Sequence, residues 1–220
     1  MARNNEVIFL KDPLDSIFNE IRLELDKEDE KREELLRLTR RSVRLSSESI
    51  RCLHRHENRE AEEKLAEIRR ILDRTEHLAA DSALQSLLQT AYQEYAEAIL
   101  FHRFLENKPL NSPQDLKIPI LPYLHSLSDL TGELRRYILD IVRKKPTEET
   151  AASAEKALSL MDSIYYQIMA LDYPNGLIPG VRRKSDIMRG IIERTRGDLT
   201  LTQSRIQFLK QWDSMKEDKD

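Results

Sequence analysis

Long stretches of helical periodicity alternate in this chain with short breaks marked by proline. The eight prolines are Pro13, Pro109, Pro113, Pro119, Pro122, Pro146, Pro174 and Pro179. Proline fits the first turn of a helix and disrupts its interior, so the segments between these marks are the helix candidates. The first runs from Asp12 to His54, with Asp12 as cap and Pro13 at the first helical position. Within it Leu35, Leu36, Leu38, Val43, Leu45, Ile50 and Leu53 share one half of the helix surface. Roughly forty residues without Gly or further Pro extend on the order of 60 Å at about 1.5 Å each. A helix of that length is typical of a bundle or an oligomer.

The pattern predicts a second helix over Glu57–His77 and a third over Asp81–Glu106, capped by Asp81 or Ser82. Asn107–Leu121, with three prolines, reads as a connector. A fourth helix covers Pro122–Lys144. Pro146 and Thr147 end it and start a fifth over Glu148–Leu171. Asp172-Tyr173-Pro174-Asn175-Gly176 is turn chemistry. A last helix follows from Pro179 to Met215, weakened by Gly190 and Gly197, and the charged tail over about 215–220 frays. No repeat, low-complexity segment or long linker interrupts this order. The expectation is an all-α fold, a single bundle of six or seven helices with a long first helix, forming one domain over 1–220.

Composition narrows the class. Only 5 of 220 residues are glycine, which disfavours all-β sandwiches and glycine-rich doubly wound folds. Charged residues make up 34% of the chain, but the net charge is only -3, so the chain is neither a polyanion nor a polycation. The single Cys52 excludes an intramolecular disulfide and a cysteine zinc cluster; it reads as a small core residue. The apolar patch at 6–10 is too short for a signal or membrane segment. A soluble, cytoplasmic protein without a membrane partner is expected.

Two patterns carry chemistry. On the first helix Arg37, Arg40, Arg41, Arg44, Arg51 and Arg55 fall in an arc of roughly 100°, opposite the apolar half. Guanidinium forks suit phosphate oxygens, although Glu33 and Glu48 interrupt the stripe and a solvated charged face has the same pattern. Arg182-Arg183-Lys184 forms a second basic cluster near a helix N-terminus, where cations oppose the macrodipole; that placement hints at another use. The second pattern is carboxylate pairing. Glu94 and Glu97, three apart, share a face of the third helix among Tyr95, Ala96, Ala98, Ile99, Leu100 and Phe101. Asp129 and Glu133, four apart, share a face of the fourth, with Leu130, Leu134 and Tyr137 beside them. Unpaired carboxylates on mostly buried helices are costly unless they neutralise a cation. Hard oxygen ligands favour Mg²⁺ or Mn²⁺ over zinc. Antiparallel packing of the two helices would let the pairs converge. The alternative is an edge position, with Glu133 held by Arg136 and Glu94 in water. His125, one turn before Asp129, is a packing residue or a further ligand or base. Trp212 and Phe208 read as core or as an oligomer contact. P-loop, Rossmann and nucleophile-elbow motifs are absent, as is any sign of a serine or cysteine triad.

The segments QEYAEAILFHRFLENKPL (93–110) and PYLHSLSDLTGELRRYILDIV (122–142) resemble the translin superfamily, nearer to translin-associated protein X than to translin. The specific parts are EYAEA from Glu94 to Ala98 and DLTGEL from Asp129 to Leu134; RLTRRSVRLSSESIRCLHR (37–55) is similar more loosely, and the match weakens after about Leu158. The resemblance implies an all-helical subunit assembled into a hollow, roughly eight-membered shell around RNA. It also implies a metal-dependent endoribonuclease with Glu94, Glu97, Asp129 and Glu133 as catalytic and metal-holding carboxylates and Mg²⁺ or Mn²⁺ as cofactor. The basic surface of the family falls in part on the first helix, at Arg37, Arg41, Arg44, Arg51 and Arg55. Two departures stand out: Pro122 replaces the acid that often precedes the tyrosine of the PYL motif, and the connector between the third and fourth helices is short. That compactness points to a prokaryotic or archaeal form assembling as a homo-oligomer.

Cleavage of single-stranded or unpaired RNA is therefore the leading expectation. The alternative is a non-catalytic module that binds RNA or single-stranded DNA. A third reading, an all-α nucleotide pyrophosphohydrolase, rests on Glu62, Glu63 and Glu67, but Ala66 breaks the EExxE spacing that it requires.

Overall fold

A computed structural model describes residues 11–79, 84–144 and 147–217, with the side chains of 11–13, 209–210 and 212–217 excepted. Among the described residues the order is α1 (Lys11–His54), α2 (Asn58–Leu78), a 3₁₀ turn (Gln85–Leu88), α3 (Gln89–Leu105), a one-turn α4 (Pro113–Leu116), α5 (Ile120–Lys144), α6 (Glu148–Met169) and α7 (Val181–Glu217), with no strand. The all-α expectation holds, as does the long first helix.

Side-chain pairs along the helices give their directions. Ser49 meets the Ala61 carbonyl and Glu34 meets Arg74, so α1 and α2 form an antiparallel hairpin. Thr39 reaches the Leu87 carbonyl and His54 stacks on Phe101, so α3 ascends alongside α1. Gln93 bonds Asp129 and Phe104 packs on Tyr137, so α5 ascends alongside α3. Asp129 meets Lys184 and Arg135 meets Asp198, so α7 ascends with α5, while Asp162–Arg196 and Glu155–Gln203 make α6 descend beside it. The bundle is thus two up–down–up triplets joined through α3 and α5. One apolar cluster, with Leu35, Ile68, Leu72 and Tyr95, lies between α1, α2 and α3. The other, with Leu134, Ile138, Met161 and Met188, lies between α5, α6 and α7 and takes Leu53, Leu100 and Phe101 from the first triplet.

Several boundaries differ from the expectation. α3 begins at Gln89 after a 3₁₀ turn; the proposed caps Asp81 and Ser82 lie outside the described residues. The connector holds α4, whose Ser112 and Asp115 form a reciprocal capping box. α3 ends where Asn107 adopts φ 55, letting the Lys108 amide reach the Arg103 carbonyl, a left-handed stop that asparagine tolerates. α7 starts two residues after Pro179 and continues through Glu217, beyond the expected end at Met215; 218–220 lie outside the described residues. Phe208 is exposed and not core, and the Trp212 side chain lies outside those described. Cys52 is buried, as expected.

The two halves of α1 behave differently. Every side chain from Leu14 to Lys27 is exposed, including Leu14, Ile17, Phe18, Ile21 and Leu25. Burial begins at Leu35 and continues through Ser42, Ser46, Ser49, Ile50 and Leu53. Of the buried serines on this face, Ser49 donates to the Ala61 carbonyl of α2 and Ser46 to the Ser42 carbonyl of α1 itself.

Candidate metal centre and its setting

The four carboxylates predicted from sequence come from α3 and α5, which run in the same direction rather than antiparallel. Convergence therefore rests on register: Gln93 sits beside Asp129, and the helices stay in step through Phe104 and Tyr137. Glu97 is the deepest, with 8% of its surface exposed. Among the described residues no hydrogen-bond donor reaches Glu97 or Glu94. Burial, followed by the negative charges of Asp129, Glu94 and Glu133, pushes the Glu97 carboxyl up to about 9, only partly opposed by Lys184. Glu94 is raised as well, first by burial and then by Asp129. A buried carboxyl of this kind holds a proton at neutral pH when no cation is at hand.

The other two acids have partners. Lys184 donates to both Asp129 oxygens, at 2.6 Å and 2.5 Å, and Gln93 Nε2 donates to Oδ2 at 2.6 Å. The lysine is delivered by the turn before α7. There Gly180 takes φ +78, and His125 Nε2 lies 3.7 Å from where a Cβ would stand. The His125 ring donates to the Pro179 carbonyl at 2.9 Å and ties the start of α7 to α5. His125 is thus a packing residue. On the other side His54, from the last turn of α1, donates through Nε2 to Glu133 Oε2 at 2.6 Å. Its side chain is only 4% exposed and its ring lies on Phe101 at 4.7 Å. Arg136, the partner expected from spacing, stands further off at 3.7 Å.

The donor set, four carboxylates with one deeply buried and without a donor, fits a hard divalent cation. The oxygens are not drawn tightly together, however. Among the described residues the groups of three whose ligating atoms lie mutually within 4.8 Å are Cys52, Glu57 and Glu60, and Glu62, His102 and Glu106. In the present arrangement the Lys184 ammonium stands against Asp129 where a cation would be held.

The arginine stripe divides. Arg37 is paired with Glu34, Arg41 with Glu67, and Arg55 with Glu57. Arg44 and Arg51 are exposed with no carboxylate partner among the described residues, and so is Arg40. These three lie within roughly 40° of one another on the side of α1 away from the core. Glu67 pairs with Arg41 and Glu63 with Arg59 at the surface.

Spacing did not single out His54 or Gln93. His54 falls on the apolar flank of α1, the one available signal, and the basic cluster at 182–184 has no target that local spacing reveals. A model of the translin family matches residues 30–195. The chain belongs to the translin family. It is 32% identical over 177 residues to an uncharacterised protein of Methanocaldococcus jannaschii, spanning 80% of this chain and 78% of that protein. It superposes on AfC3PO with a TM-score of 0.77 at 30% identity, covering 86% of this chain and 97% of that one. Against AfC3PO in complex with duplex RNA the TM-score is 0.76 at the same identity and coverage. Apo-NeC3PO, at 22% identity and a TM-score of 0.76 over 84% of this chain and 96% of that one, shares the fold. The family match starts where α1 begins to pack and leaves out its exposed outer half.

Proposed function

We propose that this translin-family chain is a divalent-metal-dependent endoribonuclease of the X type, cutting single-stranded or unpaired RNA inside a homo-oligomer of about eight subunits. The observation that carries the reading is Glu97: a buried carboxyl with no donor among the described residues and three further acids near it. Glu94, Glu97, Asp129 and Glu133 would hold Mg²⁺ or Mn²⁺. When bound, that ion would lower the pKa of a water ligand and draw charge from the scissile phosphate. Glu97 would release its proton as the cation arrives. His54 keeps the Glu133 carboxylate oriented through the 2.6 Å bond, and Gln93 does the same for Asp129. Lys184 would leave Asp129 and remain as a cation beside the phosphate. Arg40, Arg44 and Arg51 would bind the RNA backbone, joined by Arg37, Arg41 and Arg55 once their acids exchange partners. AfC3PO, a relative of matching fold, has been solved with duplex RNA, which supports RNA as the ligand. The exposed stripe of Leu14, Ile17, Phe18, Ile21 and Leu25 supplies apolar surface for assembly.

The test is cleavage of a labelled RNA in Mg²⁺ and in EDTA, with Asp129→Asn and Glu97→Gln as controls and light scattering for subunit number. Products with 5′-phosphate and 3′-hydroxyl ends are expected. A 2′,3′-cyclic phosphate would overturn the reading, because the RNA's own hydroxyl would then be the nucleophile. A second reading, a non-catalytic module binding RNA or single-stranded DNA, is favoured by the Lys184–Asp129 pair and the loose spacing of the oxygens. Binding in both conditions with cutting in neither would establish it.

A further inference from the structure

On a different face of α3 lies a second cluster that the reading above does not use. His102 sits roughly 140° round the helix from Glu97. Only 8% of His102 is exposed, and its buried Nε2 has no hydrogen-bond partner among the described residues. A buried imidazole nitrogen without a partner is uncommon and calls for an explanation. Two carboxylates flank the ring. Glu62 Oε1, from α2, is 3.5 Å from Nε2 without hydrogen-bond geometry, and Glu106 Oε2, one turn along α3, is 3.8 Å from Nδ1. The other Glu106 oxygen accepts from Lys108 at 2.7 Å, which orients that carboxylate and leaves Oε2 turned to the ring. One ligating atom from each of the three residues lies within 4.8 Å of the others. The Glu62 side chain is 56% exposed, so the cluster is open to solvent on one side.

We infer that Glu62, His102 and Glu106 form a second divalent-metal site, of the zinc class, linking α2 to the end of α3. The donor chemistry makes the choice of ion. One imidazole nitrogen with two carboxylate oxygens suits a borderline first-row ion such as Zn²⁺, whereas the four-oxygen site suits Mg²⁺ or Mn²⁺. Zinc bonds to nitrogen and oxygen are about 2.0–2.2 Å, so Glu62, exposed on α2, and Glu106, the residue capping α3, would both move inward from their present 3.5 Å and 3.8 Å to close on one ring nitrogen. Water would complete the coordination on the open side. The site closes α2 against α3 near the stop at Asn107, so its first consequence is rigidity there.

The experiment is titration of the metal-stripped, untagged full chain with Zn²⁺ alone, followed by calorimetry and by the ¹⁵N resonances of the His102 ring. One zinc per subunit is expected to move those resonances, and to raise the melting temperature. Glu62→Gln, on an exposed surface position, is expected to weaken that zinc by about tenfold or more. Asp129→Asn is expected to leave it unchanged. His102→Gln, checked for folding by circular dichroism, should abolish the zinc-dependent rise in melting temperature. Unmoved His102 resonances at saturating zinc, or unchanged affinity in Glu62→Gln, would overturn the inference. So would an intense thiolate charge-transfer band with Co²⁺, which would put the ion on Cys52, Glu57 and Glu60 instead.

Discussion

The two acid-bearing faces of α3 make an instructive contrast. On the α5 side four carboxylates gather, Lys184 lies against Asp129 and Arg136 stands near Glu133, yet burial and the neighbouring acids push Glu97 toward its neutral form. On the α2 side Glu106 keeps its carboxyl below the ordinary range, mainly because Lys108 donates to it. The α5 face gathers four acids from two helices, and the α2 face two, Glu62 of α2 and Glu106 at the end of α3. They differ in burial and in the charges brought by neighbouring helices. Spacing along a helix counts acids; tertiary packing decides whether they are strained or satisfied.

Predictions follow from breaking that contrast, from the largest expected effect down. Phe101 is fully buried, carries the His54 ring and immediately precedes His102 in the chain, so Phe101→Ala should damage both faces. A loss of about 3–5 kcal/mol in denaturant unfolding is expected. A loss below about 1 kcal/mol would mean that the faces do not share a packed core.

Asp129→Asn should reduce RNA cleavage by about 10²–10³-fold while RNA binding persists. Undiminished cutting in a single-turnover assay would remove the four-acid cluster from the chemistry.

Glu97→Gln should lose cleavage too, yet make the metal-free protein more stable. The sign follows from linkage. The folded carboxyl binds its proton up to about 9, against an ordinary value of 4.5, so the folded state holds more protons between those limits. Stability therefore falls as pH rises through that window, and glutamine removes the loss. The gain at pH 7 should approach ~3 kcal/mol and vanish below pH 4.5. Unfolding curves at pH 4, 7 and 9 measure it, and a gain independent of pH would contradict the burial argument.

Lys184→Met should weaken folding by about 1 kcal/mol, since both partners are partly exposed, and should tighten Mn²⁺ binding by removing a competing cation. Unchanged or weaker Mn²⁺ affinity by calorimetry would show that the ammonium does not compete. The smallest effect is expected from Arg44→Gln, since Arg44 has no carboxylate partner among the described residues. It should lower the salt slope of RNA binding by about 0.7–0.9, with little change in folding. An unaltered slope would take the stripe off the RNA.

Helical periodicity located most elements within a few residues, because long amphipathic runs and prolines are local signals. It missed the start of α3, since a 3₁₀ turn and an α-helical turn share similar apolar spacing. The pairs Glu94–Glu97 and Asp129–Glu133 were also legible, being i,i+3 and i,i+4 neighbours on one helix. Their partners were not. His54 is 79 residues from Glu133, and Lys184 is 55 residues from Asp129. Which arginines stand free was equally hidden, because Glu67 reaches Arg41 only through the α1–α2 hairpin.

The chain by itself determined the helices, their apolar faces and the two acid pairs, since each depends on residues within one or two turns. The tertiary structure alone decided that α1, α3, α5 and α7 ascend together. It also decided that Lys184 and His54 hold two of the acids, and that Glu97 is left buried with no donor among the described residues. Burial and long-range charge set those outcomes, and both depend on which helices meet rather than on the order of residues along any one of them.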